Sequence, residues 1–123
     1  MDVRLSEAEV AVMEALWAAT QPLSATDIAA AVPEERSWSL ATVKSLLSRL
    51  LAKRAIEPAK DGRRFLYTPL IARDAYVGAE SKRFVSRLFG GRLSPMIAQL
   101  AEDEAIDDDD VAEIRALLAR LNS

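Results

Sequence analysis

Ser39-Leu40-Ala41-Thr42-Val43-Lys44-Ser45-Leu46-Leu47-Ser48-Arg49-Leu50 is the stretch that decides the fold. Ser39 is a good N-cap, and behind it Leu40, Val43, Leu46, Leu47 and Leu50 recur at the three- and four-residue spacing that lines them up on one stripe of an α-helix. No other periodicity in the chain is as strong. The opposite side of this helix carries Ala41, Ser45, Ser48 and Ala52 along its centre, with Thr42 and Arg49 on one flank and Lys44 on the other. An ordinary solvated helix face is rich in Glu, yet there is no Asp or Glu between Leu40 and Arg54. That absence of acids points to a surface built to face an anion.

Downstream the period changes. Residues Ile56 to Lys60 and Arg63 to Thr68 read as two extended runs around Asp61-Gly62, a β-hairpin with an arginine pair just past its tip. Pro58 has no N–H for a sheet ladder, so its N–H position is expected to face away from the partner strand, and Pro69 ends the second run. Upstream, Ser6 and Glu9 form a capping box ahead of Val10, Met13, Leu16 and Trp17, which predicts a helix from about Glu7 to Ala19. Ser24 and Asp27 open a shorter helix carrying Ile28, Ala29 and Val32, and Pro33 stops it before the polar turn Glu34 to Ser37. Three helices followed by a basic hairpin, all within residues 1–70, is the order of a winged helix-turn-helix, whose third helix enters the DNA major groove.

In that frame each polar residue of the third helix has an expected role. Small Ala41 and Ser48 let the backbone approach base edges, Thr42 and Ser45 bond bases or phosphates, and Lys44 and Arg49 reach phosphates or guanine edges. Arg63 and Arg64 on the wing grip the backbone or the minor groove. Trp38, just before the cap residue Ser39, is expected to staple the helix while touching the nucleic acid. The partner implied is a double-stranded DNA operator.

Residues 71–123 form a second, helical region. A long helix is expected from Ile71 to Phe89, with Gly90-Gly91 as its stop. Another is expected from Ser94, with Pro95 in its first position, and a last one from Asp107. Phe84, Leu88, Phe89, Met96, Ile97, Leu100, Val111, Ile114, Leu117, Leu118 and Leu121 carry more apolar surface than ~50 residues bury alone. The excess predicts a homodimer, which would hold two recognition helices about one DNA turn, ~34 Å, apart. The expected fold class is therefore mainly α with a small β-hairpin: a winged helix-turn-helix over 1–70 followed by C-terminal dimerisation helices over 71–123.

Composition agrees. The chain has 123 residues, 50% hydrophobic and 28% charged, with a net charge of −3. That sum hides a basic middle: Arg36 to Arg64 holds eight cations against two acids, whereas the chain from Leu70 onward holds seven cations against ten. There is no cysteine and no histidine, which removes disulfides, thiolate and imidazole chemistry and the usual zinc and copper ligand sets. No metal or cofactor is expected. The carboxylate run Asp107 to Asp110 is accounted for by a helix cap and the positive end of a helix dipole, so no catalytic constellation is left and the chain is not expected to be an enzyme. No apolar run approaches the ~20 residues of a membrane span, and a soluble, unprocessed, cytoplasmic protein is expected. The competing reading is a winged helix that binds another protein without sequence-specific DNA binding.

Leu5 to Glu9, Val12 to Trp17, Trp38 to Leu50 with its Trp-Ser and Thr42-Val43 pairs, the wing Asp61-Gly62-Arg63-Arg64-Phe65 with Tyr67, and Gly90-Gly91 together resemble the penicillinase-repressor family (BlaI, MecI and CopY type). The resemblance runs nearly end to end. It implies a transcriptional repressor, a homodimer on a palindromic operator, with dimer contacts in the C-terminal helices. In the β-lactam branch it implies relief of repression by a membrane sensor peptidase that triggers a cut in that region. The nearest counterpart of the cut bond is Gln99–Leu100, a loose match. Ala41 stands where the family usually has a basic or polar residue, and Ala55 where a glycine commonly ends the third helix. The cysteines of the copper-responsive branch are absent, which excludes direct copper sensing.

Overall fold

Local capping chemistry sets the helix starts. Ser6 Oγ accepts the Glu9 N–H at 3.1 Å while Glu9 Oε1 accepts the Ser6 N–H at 2.8 Å, and the same reciprocal box joins Ser24 to Asp27 and Asp107 to Asp110. A computed structural model of the chain describes residues 3–122. Along them run α1 (Glu7–Ala18), α2 (Ala25–Ala31), a 3-10 turn (Glu34–Arg36), α3 (Leu40–Ala52), β1 (Ile56–Asp61), β2 (Arg64–Pro69), α4 (Arg73–Phe89), α5 (Leu93–Glu102) and α6 (Asp108–Leu121). The chain is mainly α with one hairpin, the winged-helix order. It divides inside α4 into two units, one ending at Val77 and one beginning at Gly78.

The first unit has a continuous core: Val12, Met13 and Leu16 of α1, Ile28 of α2 and its C-cap Val32, Val43, Leu46, Leu47 and Leu50 of α3, then Ala55 and Ile56. In α1 the buried edge begins at Glu9 and Val12, and Val10, expected on that edge, is only half-buried. Leu40 departs further from the expected stripe. It is 41% exposed, because it is the first helical residue and no core turn precedes it.

β1 and β2 pair antiparallel from Ile56 opposite Pro69 to Asp61 opposite Arg64. Pro58 lies opposite Tyr67, and both backbone groups of Tyr67 turn the other way, to Leu23: Tyr67 N–H donates to Leu23 O at 2.7 Å, and Tyr67 O accepts from Leu23 N–H at 3.2 Å. The missing N–H of Pro58 therefore leaves no partner wanting. The two-residue loop is Gly62-Arg63, with Gly62 at φ +65°. Arg63 thus sits on the tip and Arg64 opens the strand, one position earlier in the turn than the sequence suggests.

At the end of α3 the left-handed residue is Arg54, at φ +59°, rather than Ala55. Arg54 N–H bonds Leu51 O and Ala55 N–H bonds Leu50 O, both at 3.0 Å, the paired bonds of a Schellman ending. Ala55 is left free to be buried. Helix α5 begins at Leu93 behind Arg92, so Pro95 is its third residue and not its first; the first four N–H groups of a helix lack intrahelical partners, and proline is tolerated there. The start of α4 belongs with the first unit: Trp17 Nε1 donates to Ile71 O at 2.8 Å, the Trp17 and Tyr76 rings lie 6.0 Å apart, and Arg73 Nε meets Glu14 at 3.0 Å.

One polar contact joins the ends of this fold. Lys53, the C-cap of α3, donates from Nζ to Glu9 Oε1 at 2.7 Å and to Arg4 O at 2.8 Å. Glu9 is 1% exposed. Burial alone would push its carboxyl up, but the hydrogen bonds from Lys53 and Ser6 outweigh it and hold the group below the ordinary value of 4.5. A carboxylate with a lowered folded pKa stabilises the fold above its unfolded pKa, and that contribution is lost as pH falls through the folded value. Lys53→Ala leaves Glu9 buried without its charge partner and is expected to cost about 2–3 kcal/mol at neutral pH, at the low end for a broken pair because Lys53 is partly exposed. Urea unfolding checks this. Equal midpoints for the variant and the parent at pH 7 would contradict it, as would equal losses of stability on going from pH 5 to pH 3.

Candidate nucleic-acid interface

With four side chains of α3 locked into the core, its other side faces outward. Ala41, Thr42, Lys44, Ser45, Ser48 and Arg49 are all exposed. Ser39 is engaged as the cap: its Oγ accepts the Thr42 N–H at 3.1 Å and lies 3.1 Å from Thr42 Oγ1. Trp38 is half-buried, packs on the core, and carries the Arg36 guanidinium 5.0 Å from its ring centre; Arg36 in turn pairs with Glu7 at 3.3 Å. Ala8, Trp38, Ala41, Thr42, Ser45, Leu46 and Arg49 line one shallow recess of about 500 Å³ along this face.

A second recess, about 410 Å³, lies between the start of α2, the first turn of α3 and the wing. Lys44, Arg63 and Arg64 line it together with Leu40, Phe65, Tyr67 and Asp27. The two wing arginines are not equivalent. Arg64 pairs with Asp61 at 3.3 Å, and its charge also reaches Asp27, whose carboxyl is held below its ordinary value of 3.8 first by the Ser24 N–H, then by the Ser24 hydroxyl, and further by Arg64. Among the described residues Lys44, Arg49 and Arg63 make no ion pair. Three cations without acidic partners on one side of the fold make a surface that attracts a polyanion. Sequence reasoning missed Leu40 and Phe65 here. The signal was their position, at the first residue of α3 and beside Arg64 on the wing, where no core lies above them.

The unit beginning at Gly78 is of a different kind. No residue of α5 or α6 is buried, and in α4 only Tyr76, which belongs to the first unit, is. Phe84, Leu88, Leu100, Val111, Leu117, Leu118 and Leu121 are exposed, while Phe89, Met96, Ile97 and Ile114 are half-buried. The Gln99–Leu100 bond lies inside α5, and Gln99 Nε2 donates to Asp103 at 3.2 Å. Among the described residues no group of three or more His, Cys, Asp or Glu is placed to hold a metal ion, and no helix is long and apolar enough to cross a membrane.

Residues 5–120 match the family described as penicillinase repressor. The chain is 28% identical over 115 residues to the penicillinase repressor of Bacillus licheniformis, covering 94% of this chain and 89% of that one. Among solved structures it is similar to the DNA-binding domain of the repressor BlaI, with 32% identity and a TM-score of 0.53 over 59% of this chain and 88% of that one. It is also similar to the monomeric form of Bacillus licheniformis BlaI in complex with the blaP half-operator, at 32% identity, with a TM-score of 0.50 and the same coverage.

Proposed function

The chain belongs to the penicillinase-repressor family, and from that membership we propose that it is a transcriptional repressor, a cytoplasmic homodimer that places two winged helices on a palindromic DNA operator. The observation that carries this reading is the acid-free outer face of α3, flanked by Lys44 and Arg49 and faced across the second recess by Arg63. A relative similar in fold to this chain is described in complex with a half-operator, which supports the same assignment. Thr42, Ser45 and Arg49 read bases or their phosphates, Ala41 and Ser48 permit close approach, and Trp38 and Ser39 set the entry of α3 into the groove. Arg63 and Arg64 hold the backbone. The apolar side chains that α4, α5 and α6 leave uncovered are the dimer surface, since an exposed set of this size in one 46-residue unit needs a partner.

The corresponding pathway is β-lactam resistance or a related stress response, with a membrane sensor peptidase relieving repression through a cut in the C-terminal helices. Because Gln99–Leu100 lies within α5, a cut there requires that turn of helix to open first.

Selection from a randomised duplex library, followed by titration at low and raised salt, is expected to return a palindromic site bound tightly and with strong salt dependence. A protein-interaction module would return no preferred sequence. On that site Thr42→Ala or Arg49→Ala should weaken binding by roughly 1–3 kcal/mol without disturbing the fold. Arg63→Ala should lower the slope of log affinity against log salt by about 1, and Arg64→Ala by less, because Arg64 is already shared with Asp61 and Asp27. Equal slopes for the two variants would contradict the inequality of the wing arginines.

Sedimentation of the full chain should give twice its 13.5 kDa mass. Truncation after Gly91, which keeps Trp17, Ile71 and Tyr76 together, should leave a folded monomer that binds the selected site poorly, because linked half-sites lose their effective concentration. A truncated protein that stays dimeric would place the interface elsewhere.

A further inference from the structure

Leu40 and Phe65 are 41% and 50% exposed, and both line the recess between α3 and the wing. Exposed apolar side chains usually sit singly and mean little, but these two share a recess with Lys44, Arg63 and Arg64. The cations suit an occupant that is anionic outside and presents an apolar group within. Duplex DNA is such an occupant: its phosphates flank the major groove, and the C5-methyl of thymine is the apolar feature on the groove floor. The acid in the recess, Asp27, is committed to the Ser24 cap and faces Arg64, so it does not cancel the attraction.

Resting on the DNA-binding reading above, we propose that Leu40 is a specificity-determining residue that packs on a thymine methyl group in the operator, with Phe65 closing the wing side of the recess. Leu40 is the first residue of α3, and in a helix-turn-helix the N-terminal residues of the recognition helix are the ones that meet base edges. It lies one turn before Lys44 on the wing-facing flank, so Lys44 reaching a phosphate would bring Leu40 toward the groove. A buried leucine of the core stripe, by contrast, would be nearly inaccessible, as Val43 and Leu47 are.

The test uses the full chain and a duplex selected from a randomised library by the unaltered protein. Each thymine is replaced in turn by deoxyuridine, which removes the C5-methyl and nothing else. At one position per half-site the replacement is expected to weaken binding by the unaltered protein about three- to tenfold, the size of one lost apolar contact. The same replacement should have no effect on binding by Leu40→Ala, which keeps an exposed, helix-favouring residue at that position. Deoxyuridine replacements that weaken both proteins equally, or that weaken neither, would overturn the role of Leu40 while leaving the repressor reading intact. Failure to select any sequence would instead remove the DNA-binding reading, and the role of Leu40 with it.

Discussion

α3 has to satisfy two opposed demands along thirteen residues: one side must be buried and the other must stay free of acids and of partners. The burial of Val43, Leu46, Leu47 and Leu50, none more than 5% exposed, meets the first demand and makes the second useful. A helix seated by four core side chains cannot roll, so residues on its far side keep fixed directions. Its ends are held as well. Ser39 caps the first turn, Arg54 and Ala55 close the last, and Lys53 ties that last turn to Glu9 and Arg4 near the start of the chain. The proposed interface is therefore a consequence of packing: the hydrophobic term places the helix, and the absence of carboxylates gives its outer face a sign.

Much of this was legible because it rests on local chemistry. The capping boxes at Ser6 and Ser24 and the cap at Asp107, the prolines that stop α2 and β2, and the stripe in α3 all act over three to seven residues, the range a linear pattern records. What stayed hidden acts over longer range or at the ends of patterns. Lys53 and Glu9 are 44 residues apart, and Trp17 and Ile71 are 54 apart; a capping box explained Glu9 without hinting that it also holds a lysine. Leu23 pairs with Tyr67 through a single bridge, too short to leave any alternation. Leu40 fits the helical period and is nonetheless exposed, because periodicity says which side a residue is on and not whether anything lies above it. Arg54 takes the left-handed position that a glycine would mark, and its side chain gives no sign of it.

The two units divide the work according to how they bury surface. The first covers its own apolar stripes with α1, α2, α3 and the hairpin and can present a fixed face. The second buries none of its apolar side chains fully, with Phe84, Leu88, Leu100, Val111, Leu117, Leu118 and Leu121 exposed and Phe89, Met96, Ile97 and Ile114 half-buried, so in the proposed dimer its stability and its pairing would be the same question. In the dimer proposed above, that arrangement would couple occupancy of an operator to the integrity of the C-terminal helices, so that opening α5 or α6 would weaken binding from a distance.

The chain contains no cysteine, so a single Ala52→Cys variant gives one attachment point for a DNA-cleaving reagent at the far end of the outer face of α3. With the reagent attached and the selected duplex bound, cuts are expected in two symmetry-related clusters about 10 base pairs apart, one for each recognition helix. A complex that forms with equal affinity yet leaves the DNA uncut from position 52, and cuts it when the reagent is attached through Ala18→Cys on α1 instead, would show that a face other than that of α3 meets the DNA.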